Sequence, residues 1–488
     1  MVEGRFGSRI IPRMEYSDKG FEEFQDLLRP FRESHPLLWR IRDSLYSALY
    51  YRVPGGGGER RHRAGLWSWG LWAVGKALLA AKKSVPAVES NSRFHFLFCG
   101  THSAHFDTLV PVVREAAALS REMPVCVWSV ELKPEQVSFL EGISNVRVIR
   151  LPKLYSCVAV SNKFRAARRA LREVFVLERL LKGTGHKEEL RHRRSHVAEA
   201  IFHYLLSGDF WETTLSPAQS GAVFTTTEAP YLCKGLFDAA RNRRMHTVHF
   251  CHGFRHATHQ VTRATDLCVY SELDRKWFQS RVEKGCTVRA IGNPRMEAIR
   301  NVVGPPRDRK PGEPFRLLLF SAGEESPYTA GMVKADMAIL AAAPEVRSKY
   351  ILRIRPHPRE PFDVLLKVVK EIGLVADEFS QGALAGDISW CDAAATSWST
   401  AMLEAAVAGR PCYWLDVGGY GFGGTGELQR AGLGLLVRNS EQWKLAVQEM
   451  FLGRVQPPAA VSERKLQELG ICLPETISWL QRLEIREG

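Results

Sequence analysis

The chain has 488 residues, 45% of them hydrophobic and 25% charged, with a formal net charge of +14. This composition excludes a disordered chain and leaves apolar mass for two or three domains of roughly 150 residues each. No run reaches the roughly 18 to 20 uncharged apolar residues that span a bilayer, and the start, Met1-Val2-Glu3-Gly4-Arg5, has no apolar signal core, so export by a cleaved peptide is not expected.

Residues 1–90 read as a helical N-terminal extension, broken at Pro54-Gly55-Gly56-Gly57-Gly58. Within it, Arg60-Arg61-His62-Arg63 precede Trp67, Leu71, Val74 and Leu78, which share one helix face and lead to Lys82-Lys83. Tryptophans beside cations suit the headgroup region of an anionic membrane, and suit equally a helix whose rings pack on the protein. Residues 60–84 are therefore the candidate contact with a membrane surface.

An α/β region follows over 91–303. Strands are expected at 94–99, 125–130, 146–151, 222–226, 247–250, 266–271 and 288–291, a helix at 134–141, and a long helix or helix pair over 160–207. Inside that pair, a basic run goes from Lys163 through Arg165, Arg168, Arg169 and Arg172 to Arg191, His192, Arg193 and Arg194. A solvated face is its first explanation and a membrane or acidic acceptor its second. No RNA or DNA motif accompanies it, so nucleic acid is not an expected partner. Gly304-Pro305-Pro306-Arg307-Asp308-Arg309-Lys310-Pro311-Gly312 reads as a linker.

A second α/β pattern occupies 313–460, with strands at 315–320, 350–355 and 412–417, helices at 332–343, 361–372, 396–408 and 440–453, and a helical tail over 461–488. Strands alternating with helices argue parallel sheets. The expected fold is α/β, two Rossmann-like domains facing across a cleft, with ligands outside the carboxyl ends of the strands. Ten scattered cysteines form no C-x-x-C pair, and most sit in apolar runs. That predicts buried free thiols in a reducing compartment and no zinc site.

Three motifs end expected strands. Arg355-Pro356-His357-Pro358 closes the run 350–354, and Ser397-Trp398-Ser399-Thr400 opens a helix carrying Glu404. A hydroxyl-rich turn at a helix start, with a histidine at a neighbouring strand end, suits a phosphate ester. His249-Phe250-Cys251-His252-Gly253 ends a strand of the first region, and the glycine permits a tight turn there. Further on, Ala290-Ile291-Gly292-Asn293-Pro294-Arg295 ends another.

This order of strand–His-Gly, strand–Ser, strand–Gly-Asn-Pro, linker, strand–Arg-Pro-His-Pro and Ser/Thr turn resembles bacterial surface-polysaccharide glycosyltransferases of the GT-B fold. It is similar in particular to sialyl- and polysialyltransferases, Kdo transferases and CDP-glycerol glycerophosphotransferases. The resemblance covers about residues 220–420. It implies that His357-Pro358 and Ser397, Ser399 and Thr400 hold the CMP moiety, that Glu404 holds the ribose hydroxyls, and that Gly292-Asn293-Pro294 shapes the cleft floor. Arg355, Arg353 and Lys310 are candidate counter-charges to the departing phosphate, with the two strand arginines in phase on one face.

In this fold the N-terminal domain faces the acceptor, and inverting transfer needs a base near the acceptor oxygen. Asp107 is the first candidate, His102 the second and His252 a further contact, with Thr226, Thr227 and Glu228 as a competing acidic site. Helix capping by Thr101 or Ser103 with Asp107 in the first turn explains the same residues without catalysis. The acidic-acidic-glycine motif of some sialyltransferases is not evident, and a tryptophan interrupts the hydroxyl motif.

No D-x-D pair sits at a strand end, so neither a metal nor another cofactor is expected beyond the nucleotide-sugar itself. The glycine-rich stretch 418–426 does not fit a dinucleotide fingerprint. The leading expectation is a cytoplasmic glycosyltransferase, peripheral on the inner face of a bacterial plasma membrane. It moves a Kdo or sialic-acid-like sugar from a CMP-activated donor to a lipid-linked or polysaccharide acceptor. Alternatives are a CDP-glycerol or CDP-ribitol phosphotransferase, a non-hydrolysing UDP-GlcNAc 2-epimerase, and a non-catalytic scaffold of a polysaccharide assembly.

Overall fold

The computed structural model describes residues 18–50, 95–100, 103–120, 125–129, 132–150, 158–215, 221–227, 231–251, 257–322, 332–358, 360–417, 432–454, 463–468 and 479. Their strands fall into two sheets. The first holds β1 (Phe96–Gly100), β2 (Val125–Ser129), β3 (Val146–Arg150), β4 (Ala222–Thr225), β5 (His246–Phe250), β6 (Asp266–Val269) and β7 (Thr287–Ala290). Its order is β3-β2-β1-β4-β5-β6-β7, and every pairing is parallel.

The second sheet holds β8 (Phe315–Phe320), β9 (Tyr350–Arg355), β10 (Glu378–Phe379), β11 (Ala393–Thr396), β12 (Cys412–Leu415) and β13 (Leu435–Val437). Its order, β10-β9-β8-β11-β12-β13, is again parallel throughout. Both sheets therefore repeat the third-second-first-fourth-fifth-sixth order of a Rossmann fold, and β7 extends the first. This is the two-domain GT-B arrangement of sheets. Central strands such as β1, β4 and β11 are buried at every residue, as expected where helices cover both faces of a parallel sheet.

The N-terminal helices Asp18–Leu28, Pro36–Arg40 and Arg42–Tyr50 are not an appendage. Phe21, Phe24, Leu45 and Tyr46 are fully buried in the same apolar cluster as Leu97 and Val223 of the first sheet. The long helices Val160–Leu180 and Gly185–Thr214 belong to that cluster too. A salt bridge ties the layers, Lys234 Nζ to Asp43 Oδ2 at 2.7 Å, with the lysine wholly buried and the aspartate nearly so. Residues 18–50 thus belong to the first domain. At the other end, Trp479 packs edge-on against Phe250 of β5 at 5.9 Å between centroids, in the core of the first domain.

The linker is fixed at its start. Helix Ala401–Val407 stops where Gly409 takes φ +73°, a left-handed value that glycine adopts without strain. The next residue, Arg410, is completely buried and donates to the carbonyls of Ile388 (3.0 Å), Ala408 (3.2 Å) and Gly304 (3.1 Å). Cys99, Cys233, Cys251, Cys268, Cys391 and Cys412 are buried free thiols, and Cys286 is half-buried. Among the described residues no helix is long and apolar enough to cross a membrane.

Replacing Lys234 by Met leaves the Asp43 carboxylate buried without its cation. That change should destabilise the protein by about 3–5 kcal/mol in urea unfolding, and adding Asp43→Leu should recover most of it. A loss under about 1 kcal/mol in the single variant would show that the N-terminal layer is not held this way.

Candidate functional site

In the second sheet the direction of winding reverses between β8 and β11, the position where doubly wound sheets bind ligands. Phe320 at the end of β8 is level with Arg355 of β9 on one side and Thr396 of β11 on the other. The His-Pro motif and the hydroxyl motif therefore leave the sheet at the same height, one strand apart on either side of β8. Ser321, buried, continues the β8–β9 pairing: its N–H donates to the Arg355 carbonyl at 2.9 Å.

The hydroxyl turn is held by Thr396, which the sequence reading had not singled out. Its Oγ1 donates to the Phe320 carbonyl (2.9 Å) and accepts from the Ser399 N–H (3.2 Å). The helix begins at Ala401, later than the expected 396. Thr400 occupies the N-cap position without a side-chain capping bond, and Ser399 Oγ accepts from the Ala401 N–H at 3.3 Å. Trp398, the departure from the family pattern, packs against the core of the second domain. Ser397, Ser399 and Thr400 are half-buried. On β9's side, the His357 N–H donates to Glu360 Oε2 (3.2 Å) and its carbonyl accepts from the Glu360 N–H (2.8 Å). His357 is half-buried and Pro358 exposed.

The domains meet through helix Pro294–Val302, which follows β7 and touches both helix Ser103–Leu119, after β1, and helix Ala401–Val407, after β11. Near the starts of these three helices lie Arg295, Asp107 and Glu404. Arg295 Nε and Glu404 Oε1 are in ion contact. Burial pushes the Glu404 carboxyl above the usual glutamate range, the Arg295 charge opposes the rise, and Asp107 adds to it. On Arg295, burial works against the charge, while Glu404, Tyr270 and Asp107 outweigh it and raise the guanidinium further. Asp107 is half-buried, and its Oδ1 accepts from Gln136 Nε2 at 2.9 Å.

Glu404, the expected ribose contact, is completely buried against Arg295. Asn293 is an N-cap: its Oδ1 accepts from the Arg295 N–H at 2.8 Å and its side chain meets Tyr270. Arg355 and Arg353 both pair with the buried Asp387, Arg355 also donating to the Gly382 carbonyl at 2.8 Å and Arg353 to Glu378. Their charge is largely matched within the domain, although Arg355 still acts on Glu404. His102, His252, Glu228, residues 60–84 and the stretch 418–426 lie outside the described residues. Among those described, no group of His, Cys, Asp and Glu residues could hold a metal ion.

No family model matches the sequence, and no curated protein matches it. Among solved structures it is similar to a candidate UDP-N-acetylglucosamine 2-epimerase from Listeria monocytogenes, with TM-score 0.48, 12% identity, and 80% of this chain and 95% of that one covered. It is also similar to the Anabaena protein HepE in complex with UDP and glucose (TM-score 0.46, 12% identity, 80% and 99% covered). A third is a glycosyltransferase from Rickettsia africae (TM-score 0.43, 9% identity, 80% and 97% covered). At these values the likeness assigns neither a substrate nor a residue role.

Because the Glu404 carboxyl is raised, its contribution to stability is present at acid pH and is lost as pH rises through the folded-state value. Arg295→Met removes the opposing cation and deepens that loss. The variant should be destabilised by about 3–5 kcal/mol near neutral pH, and by clearly less at about pH 5, in denaturant titrations. A second change, Glu404→Gln, should flatten the difference. A deficit of equal size at both pH values would mean that Arg295 acts by packing alone.

Proposed function

We propose that this chain is a nucleotide-sugar-dependent glycosyltransferase that moves a Kdo or sialic-acid-like sugar from a CMP-activated donor to a glycan or lipid-linked hydroxyl. The observation that carries the reading is the cluster Asp107–Arg295–Glu404–Arg355. In it, Asp107 sits on the helix after the first strand of one domain, that helix packs against Pro294–Val302, and Arg295 there contacts Glu404 on the helix that follows the hydroxyl motif of the other domain.

In this mechanism Asp107 takes the proton of the acceptor hydroxyl as its oxygen attacks the anomeric carbon. The bond from that carbon to the phosphate oxygen breaks, and CMP leaves with the bonding pair. Its charge is met by His357 and by the hydroxyls and amides of the turn Ser397–Thr400. Gln136 orients the Asp107 carboxylate through the 2.9 Å hydrogen bond. Arg295, whose N–H is held by the Asn293 side chain, lies at the start of the neighbouring helix. His102 and His252 remain second candidates for contact with the acceptor.

Calorimetry with CMP, UMP and UDP tests the donor side. CMP should bind the wild type, and His357→Ala should weaken it about ten-fold or more, the value of a lost hydrogen bond to a charged group. No nucleotide binding at all would overturn the enzyme reading, and preference for UDP would move it towards UDP-sugar chemistry of the epimerase type. Asp107→Asn should keep CMP affinity while lowering transfer by about 10²–10⁴-fold. A phosphodiester product would instead identify an alditol phosphotransferase.

A further inference from the structure

Helix Val160–Leu180 runs for 21 residues, about 31 Å, on the outside of the first domain. Its inner face is alanine and valine: Ala166, Ala167, Ala170, Val174 and Leu177 are buried against the rest of the domain. Its outer face is unusual. Val160, Phe164 and Phe175 are 37%, 43% and 50% exposed. Residues 160, 164, 168, 171, 175 and 179 repeat every three or four positions and so form one stripe along the axis. Arg168 and Arg179 lie in it and Arg172 beside it, all exposed.

The charges of the two long helices are handled differently. On the following helix, Arg191 pairs with Glu188 (2.7 Å), Arg193 with Glu189 (3.4 Å), and Arg194 reaches across to Glu178. Arg165 and Arg169 lie in the field of Asp209. Among the described residues, no ion pair engages Arg168, Arg172 or Arg179. The first helix thus shows an exposed stripe that combines apolar side chains with guanidinium groups for which no ion pair is seen among the described residues.

We propose that this face of Val160–Leu180 is a docking surface for an anionic membrane. The phenylalanine rings enter the boundary between headgroups and acyl chains while the arginines meet lipid phosphates. A single-stranded nucleic acid fits less well. Its binders line a groove with rings at the spacing of successive bases, whereas this surface is one convex helix whose rings are about 16 Å apart along the axis. The proposal stands apart from the reading of the nucleotide site. It also differs from an anchor at residues 60–84, and the two can be separated.

The test is flotation of the full chain with phosphatidylcholine vesicles, with and without phosphatidylglycerol. The wild type should float only with the anionic vesicles. Arg168→Gln/Arg172→Gln/Arg179→Gln should lower partitioning roughly a hundred-fold, from about three surface charges. The same three positions changed to Lys should restore it, since a lipid surface reads charge and not fork geometry. Phe164→Ser/Phe175→Ser should leave only binding that high salt abolishes. Flotation of all variants equal to wild type would overturn the proposal, as would no flotation of the wild type. Loss of RNA binding in the Gln variant without any vesicle binding would assign the face to nucleic acid.

Discussion

The arrangement of the molecule depends on one buried contact between charges, Arg295 with Glu404. Three helices start there, each immediately after the carboxyl end of a strand, and two of the three come from the first domain. A completely buried carboxylate is costly unless a cation compensates it. The Gly-Asn-Pro turn supplies that cation in a fixed direction: Pro294 is at the first helical turn, Asn293 caps it, and the capped amide is that of Arg295 itself. The Gly-Asn-Pro motif thus aims an arginine across the domain boundary.

The contact sits at the rim of an apolar junction. Leu267, Val269, Met296 and Ile299 of the first domain share one cluster with Leu318, Phe320, Met402 and Leu403 of the second. Interfaces of that kind restrict relative motion more than polar ones. With β6, β7 and their helices packed onto the second domain, any opening between the strand ends of β1 and β8 must pivot about this junction. Arg410, buried among three carbonyls that include the start of the linker, fixes the same side.

Much of this was legible in the sequence. Strands made of large apolar residues, such as Phe315–Phe320 and Val146–Arg150, fell where the apolar runs ended at turn signals. The strand Ala393–Thr396 did not, although it lies at the centre of the second sheet and carries the hydroxyl motif. Alanine has weak strand preference, and its small side chain is chosen here by packing between helices, which no local pattern reports. The N-terminal helices were readable as helices but not as core, because their partners lie far away in sequence: Asp43 meets Lys234 and Arg42 meets Glu283. At the site, the motifs named His357, Ser399 and Asp107. They did not reveal that Thr396 holds the turn, or that Asp387 already engages both strand arginines.

That last pairing bears on how charge can be used at the donor side. Arg353 and Arg355 share a strand face because alternate residues point the same way, and Asp387, in the first turn of helix Leu384–Trp390, pairs with both. Ser380 also donates to Asp387, and Arg355 donates to the Gly382 carbonyl. A guanidinium restrained this way cannot swing towards a leaving phosphate without exposing a buried carboxylate. The His357 imidazole and the hydroxyls of Ser397, Ser399 and Thr400 are all half-buried around the end of β8. On the proposed reading, recognition there would rest on directed hydrogen bonds from a preset turn, while the arginines keep strand β9 tied to Asp387.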